Sequence, residues 1–78
     1  MSIDSIEQKV IDILNEITGA QPGEIDPDLA LFDEGLLDSF ATIQMVLALE
    51  EGFGLHLEIS ELSREQMATP AKLARTIG

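Results

Sequence analysis

Ile3, Ile6, Val10, Ile13, Leu14 and Ile17 recur at intervals of three and four residues near the start of the chain. At about 100° per residue they fall within an arc of roughly 100°, with Asp4, Glu7, Lys9 and Glu16 outside it. This spacing predicts an amphipathic first helix, with Ser2 or Asp4 available as its cap and Gly19 as its stop. From Ala20 to Asp38 the period is lost, broken by Pro22-Gly23, Pro27 and Gly35. A connection of that length in a small domain tends to be packed or functional. Ile25, Leu29, Leu31, Phe32, Leu36 and Leu37 give it apolar anchors, so it is expected to lie on the core. A second helix is predicted from Asp38 or Ser39 to about Glu51, with Asp38 as N-cap and Gly52 and Gly54 ending it. Leu55, Leu57 and Ile59 alternate with His56 and Glu58, which suits a short extended stretch, and one or two helical turns fit Ser60 to about Glu65. Thr69-Pro70 restarts a helix, with Thr69 as N-cap and proline at the first helical position. Leu73 and Ile77 then share a face. The pattern predicts an all-α fold: a four-helix bundle in one domain, 1–78, with a long loop between helices one and two and a short third helix.

The second helix is apolar on more than one side. With Phe40 at the origin, Thr42, Met45, Val46, Leu49 and Phe53 lie between about 140° and 240°. Phe40, Ile43 and Leu47 lie between about 300° and 360°, and Ser39 near about 260°. The larger set is the better candidate for the core. Phe40, Ile43 and Leu47 are then expected to form an exposed apolar strip beside a serine at a helix start, the kind of strip that marks an interaction surface. A central helix buried on both sides is the alternative that the wheel alone leaves open.

Charge changes the picture of partners. Fifteen acidic residues against four basic ones give a net charge of −11. Such a chain repels phosphate backbones and anionic bilayers, which argues against nucleic-acid and membrane-surface binding. It suits steering onto basic partner proteins, although charge that merely maintains solubility is the blander account. The sequence has no cysteine, hence neither a disulfide framework nor a thiolate metal site. It has no apolar run long enough to span a bilayer and no secretory signal pattern, so a cytoplasmic monomer without membrane insertion is expected.

Little in the residues points to catalysis. Ser39 has no nucleophile elbow, and His56, the single histidine, belongs to no motif that links the two. A calcium loop fails as well. With Asp26 and Asp28 at its first and third positions, Ala30 offers no ligand at the fifth and Leu31 replaces the glycine at the sixth. No catalytic residue and no metal ligand is therefore assigned. A helix N-terminus does favour phosphate, through free N–H groups and the dipole. Around Ser39 the acids Asp33, Glu34 and Asp38 oppose a free anion and suit a basic enzyme better.

The segment Leu31-Phe32-Asp33-Glu34-Gly35-Leu36-Leu37-Asp38-Ser39-Phe40 resembles the attachment motif of the phosphopantetheine carrier superfamily, with Gly35, Leu37, Asp38 and Ser39 matching its Gly-x-x-Asp-Ser pattern. The resemblance implies an acyl-carrier-like bundle. It also implies that Ser39 becomes O-(pantetheine 4′-phosphoryl)serine, taking covalent 4′-phosphopantetheine from coenzyme A through a separate Mg²⁺-dependent phosphopantetheinyl transferase. Within the superfamily the chain is most similar to the D-alanyl carrier proteins of teichoic-acid D-alanylation, through residues 32–40, Met45 to Glu50, Ile59 to Glu65 and Thr69-Pro70. It has Met67 where that family commonly has tryptophan and Ala41 where it commonly has glycine. The resemblance implies a non-enzymatic carrier that holds D-alanine as a thioester, loaded by a D-alanine-activating ligase and unloaded by membrane-bound acyl-transfer machinery. Asp38, Phe40, Ile43 and Leu47 are the expected docking residues. An acyl carrier for fatty-acid, polyketide or lipid assembly is the rival, though Gln44, Met45 and Ala48 leave the second helix nearly uncharged before Glu50 and Glu51. An unmodified helical adaptor is the reading from another class.

Overall fold

A computed structural model describes residues 3–21 and 23–78, with the side chains of all but Ile3, Asp4 and Ile59. Its α-helices are α1, Ile3–Thr18, α2, Ser39–Phe53, and α3, Pro70–Ile77. Where a short third helix is expected the chain makes one 3-10 turn, Ile59–Glu61, and then further turns over 64–67. Among the described residues there is no strand, and 55–58 follow an irregular path.

The apolar stripe of α1 is its buried face: Ile6, Val10, Ile13 and Leu14 all belong to the core. Ile11 is buried as well, on a flank that the wheel leaves outside the stripe. The long loop accounts for it, since Ile25 and Pro27 line one groove together with Ile11. At the far end Gly19 takes a left-handed conformation, φ 74°, and its N–H donates to the Asn15 carbonyl at 2.9 Å. The helix begins at Ile3, which puts Asp4 inside it, and Ser2 lies outside the described residues, as does Pro22.

The loop is packed, as its apolar anchors predict. Ile25, Leu31 and Leu37 are buried in the same core as the helices. Its backbone is tied to the C-terminal part of the chain: Leu31 N–H donates to the Ala68 carbonyl at 2.8 Å, and Ala71 N–H donates to the Pro27 carbonyl at 2.9 Å. Two further N–H groups, those of Leu36 and Leu37, converge on the Leu31 carbonyl at 3.0 and 3.2 Å. Asp26 turns its carboxylate onto the Asp28 N–H at 2.9 Å, closing a local turn.

α1 packs against both α2 and α3. α2 runs two residues beyond the predicted end. Its stop is Gly54 alone, left-handed at φ 65°, with its N–H on the Glu50 carbonyl. Gly52 is helical instead, and its reason is space: a Cβ there would sit 3.0 Å from the Ile13 Cδ1 of α1. Thr69 caps α3, its hydroxyl accepting from Lys72 N–H at 3.1 Å, and Pro70 follows at the start of the helix. Leu73 and Ala74 complete the core.

Candidate functional site

Leu37, Asp38 and Ser39 carry the chain from the packed loop into α2. Leu37 is buried and pins the approach. Asp38 is extended, φ −123° and ψ −171°, and its carboxylate accepts from the Ala41 N–H at 2.8 Å. Its carbonyl accepts from the Thr42 N–H at 2.9 Å and from the Thr42 hydroxyl at 2.6 Å. The cap is thus saturated, and it fixes where the next residue stands.

That residue is Ser39, the first of the helix and exposed. Among the described residues its hydroxyl has no hydrogen-bond partner. The Asp38 Oδ1 is engaged with the Ala41 N–H, and no hydrogen bond joins that carboxylate to Ser39 among the described residues. His56 is beside Glu50, eleven residues further along α2, which at about 1.5 Å per residue is about 16 Å of helix away. The serine is thus exposed at the helix start, with neither Asp38 nor His56 bonded to its hydroxyl.

The two faces of α2 divide as the wheel predicts. Met45, Val46, Leu49 and Thr42 are buried, and Phe53 is half-buried with the Lys9 ammonium 4.8 Å from its ring centre. Phe40, Ile43 and Leu47 remain 70%, 50% and 59% exposed, the large apolar side chains left facing solvent among the described residues. They continue from Ser39 along one side of the helix.

Beside Ser39 lies a groove of about 400 Å³. Phe32, Leu37, Ile43 and Met67 give it apolar walls, and Asp38, Ser39, Thr42 and Arg64 give it polar ones. The guanidinium of Arg64 lies over the Phe32 ring, 4.3 Å from its centre. Phe32 and Met67 stand out in the sequence, but nothing there brings them or Arg64 to the serine. The meeting depends on the long-range bond between Leu31 and Ala68, which sets the 31–35 turn against the 64–68 turn. No local period carries that information.

The acidic residues gather no ion site: among the described residues no group of three His, Asp or Glu side chains converges as metal ligands. Among the described residues His56 is the one titratable group that is clearly displaced. Glu58 raises its pKa from the ordinary 6.5, by a hydrogen bond and by charge, and the charge of Glu50 adds to this. The His56 Nδ1 is 3.0 Å from Glu50, whose carboxylate also accepts the Leu57 N–H at 2.9 Å. This cluster lies at the end of α2 and directly after it. No helix among the described residues is long and apolar enough to cross a membrane.

The site fits a phosphopantetheine group on observation: an exposed serine borders a groove with apolar walls and one guanidinium. Comparison with known proteins agrees. The family model described as the phosphopantetheine attachment site matches residues 8–77. A D-alanyl carrier protein of Lacticaseibacillus casei (strain BL23) is 41% identical over 73 residues, 94% of this chain and 90% of its own length. A D-alanyl carrier protein of Bacillus velezensis is 35% identical over 71 residues, 91% of each chain. One from Enterococcus faecalis is 36% identical over 73 residues, 94% of each chain. A carrier of this kind uses 4′-phosphopantetheine as its cofactor, and the all-helical architecture is that of an acyl-carrier-like domain. On the full length of the match, the chain belongs to the phosphopantetheine carrier superfamily and, within it, to the family of D-alanyl carrier proteins.

Proposed function

We propose that this chain is a D-alanine carrier whose arm is attached at Ser39. The observation that carries the reading is the serine itself, exposed and unpartnered on a fixed helix start, in a chain whose relatives are named for the same cargo. In the attachment step the Ser39 Oγ bonds to the pantetheine-side phosphorus of coenzyme A, and the pyrophosphate P–O bond breaks. Adenosine 3′,5′-bisphosphate leaves, and the hydroxyl proton passes to a base on the transferase or to water. D-Alanine is then held as a thioester on the arm, loaded by an ATP-dependent ligase and delivered for D-alanylation of (lipo)teichoic acid.

The chain acts as a substrate of other proteins and not as an enzyme. A phosphopantetheinyl transferase, a D-alanine-activating ligase and a membrane-bound acyl-transfer machinery are its partners. Asp38, Phe40, Ile43 and Leu47 are the docking residues: the first borders the modified position, and the others form the exposed strip that continues from it. Its net charge of −11 supports partners with basic surfaces and argues against nucleic acid. The carrier works as a single domain over 1–78, a monomer in the cytoplasm. D-Alanine is small and bears a charged amine that is costly to bury, so the cargo stays at the surface.

Competition between cargoes tests this. The holo-protein is offered D-alanine with its ligase and ATP, and, in parallel, long-chain acyl groups with an acyl-carrier synthetase. One D-alanine per chain, labile to hydroxylamine, is expected. Efficient acylation with long chains and none with D-alanine would identify an acyl carrier of the lipid-building type instead.

A further inference from the structure

The groove beside Ser39 contains a cation with unspent donors. Arg64 is one of four basic residues in a chain of net charge −11. Among the described residues it makes no ion pair and no side-chain hydrogen bond, and its guanidinium lies over the face of the Phe32 ring. Stacking uses the face of a guanidinium and leaves the N–H groups at its edge free. Those N–H groups form a planar fork that matches two oxygens of a phosphate.

We propose that this groove is a resting berth for the prosthetic arm, in which Arg64 receives the arm's phosphodiester. The inference rests on attachment at Ser39. Because Ser39 is itself part of the groove wall, an arm bonded to it starts beside the groove. The first group of the arm is an anionic phosphate, and Arg64 is the one basic residue lining that groove. The Asp38 carboxylate at the same edge is turned onto the Ala41 N–H, which draws its charge toward the helix. Beyond the phosphate, the geminal methyl groups of the pantoyl unit meet Phe32, Leu37 and Met67, the apolar walls. Arg64 is a positioning residue in this account, holding the arm and taking no part in thioester chemistry.

The berth is shallow and exposed to solvent, so its hold on the arm is weak, as a carrier that must give up its arm requires. Ile43 supplies the release. It forms part of the groove wall and is also one of the three exposed apolar residues of α2. A partner that covers Ile43 competes with the berthed arm, and docking therefore frees it.

NMR of the intact holo-protein tests the berth, with isotope label in the arm. Intact mass of wild type beside Ser39→Ala first establishes that Ser39 carries the group. The wild type should show nuclear Overhauser contacts from the pantoyl methyls to Phe32 and Met67, and a shift of the Arg64 Nε–H resonance between apo- and holo-protein. Arg64→Ala should lose both the contacts and the restricted motion of the arm. Arg64→Lys should retain part of them, and Arg75→Ala, outside the groove, should retain all. An arm on wild-type protein as mobile as free pantetheine overturns the berth alone. So do contacts that survive Arg64→Ala unchanged. A protein that accepts no phosphopantetheine at Ser39 overturns the berth and the attachment together.

Discussion

Asp38 and Ser39 share the start of α2, one holding the backbone and the other left free to react. The Asp38 carboxylate satisfies the Ala41 N–H at 2.8 Å, and a negative charge at that end also suits the helix dipole. Asp38→Ala should cost about 1 kcal/mol in urea or thermal unfolding, whereas Asp38→Asn should retain most of that. His56 offers a second prediction at this scale. Its pKa is raised by Glu58 first and Glu50 second, so its stabilising contribution is full below pH 6.5 and is lost as pH rises through the folded pKa. An NMR titration should give a midpoint above 6.5, and Glu58→Gln should lower it more than Glu50→Gln. The histidine is exposed, so the effect on unfolding should be small. Ser39 is legible in the sequence because its context is local: an aspartate before it, a loop upstream and an apolar period downstream. Arg64 is not legible, because its place beside Ser39 is made by a hydrogen bond between residues 31 and 68.

At the scale of the element, α2 carries two apolar faces with different duties. Leu49 and Met45 have no exposed surface, while Ile43 and Leu47 are 50% and 59% exposed. Leu49→Ala opens a cavity in the core and should cost about 2–5 kcal/mol, a large share of a small domain's stability. Ile43→Ala and Leu47→Ala should melt close to wild type and yet slow ligase loading, since apolar anchors near an interface centre carry much of its binding energy. Melts alongside loading kinetics separate the faces; equal destabilisation with normal loading would reverse them. The angular period separates these residues into two stripes, and burial in the fold decides which of them is core. The period does not decide where α2 ends, because a glycine reads alike as a stop and as a place of close approach. Gly54 is the first, with positive φ; Gly52 is the second, facing Ile13. Ile11 is hidden from the pattern for a related reason: the element that covers it is a loop with no period of its own.

For the whole molecule, the helices and the packed loop form one core, and Ser39 and its groove lie at the N-terminal end of α2. That arrangement leaves the fold undisturbed while the serine is modified, loaded and unloaded. The sequence has no cysteine, so any thiol in the product belongs to the arm. The most direct test of the account is therefore the intact mass and thiol content of wild type and Ser39→Ala. Each is treated with a phosphopantetheinyl transferase, Mg²⁺ and coenzyme A, and then with ligase, ATP and D-alanine. The account predicts one phosphopantetheine, one thiol and then one D-alanyl thioester on wild type, and no added mass on a folded Ser39→Ala protein. Phosphopantetheine found on Ser39→Ala, or D-alanine refused by the holo-protein, would contradict it.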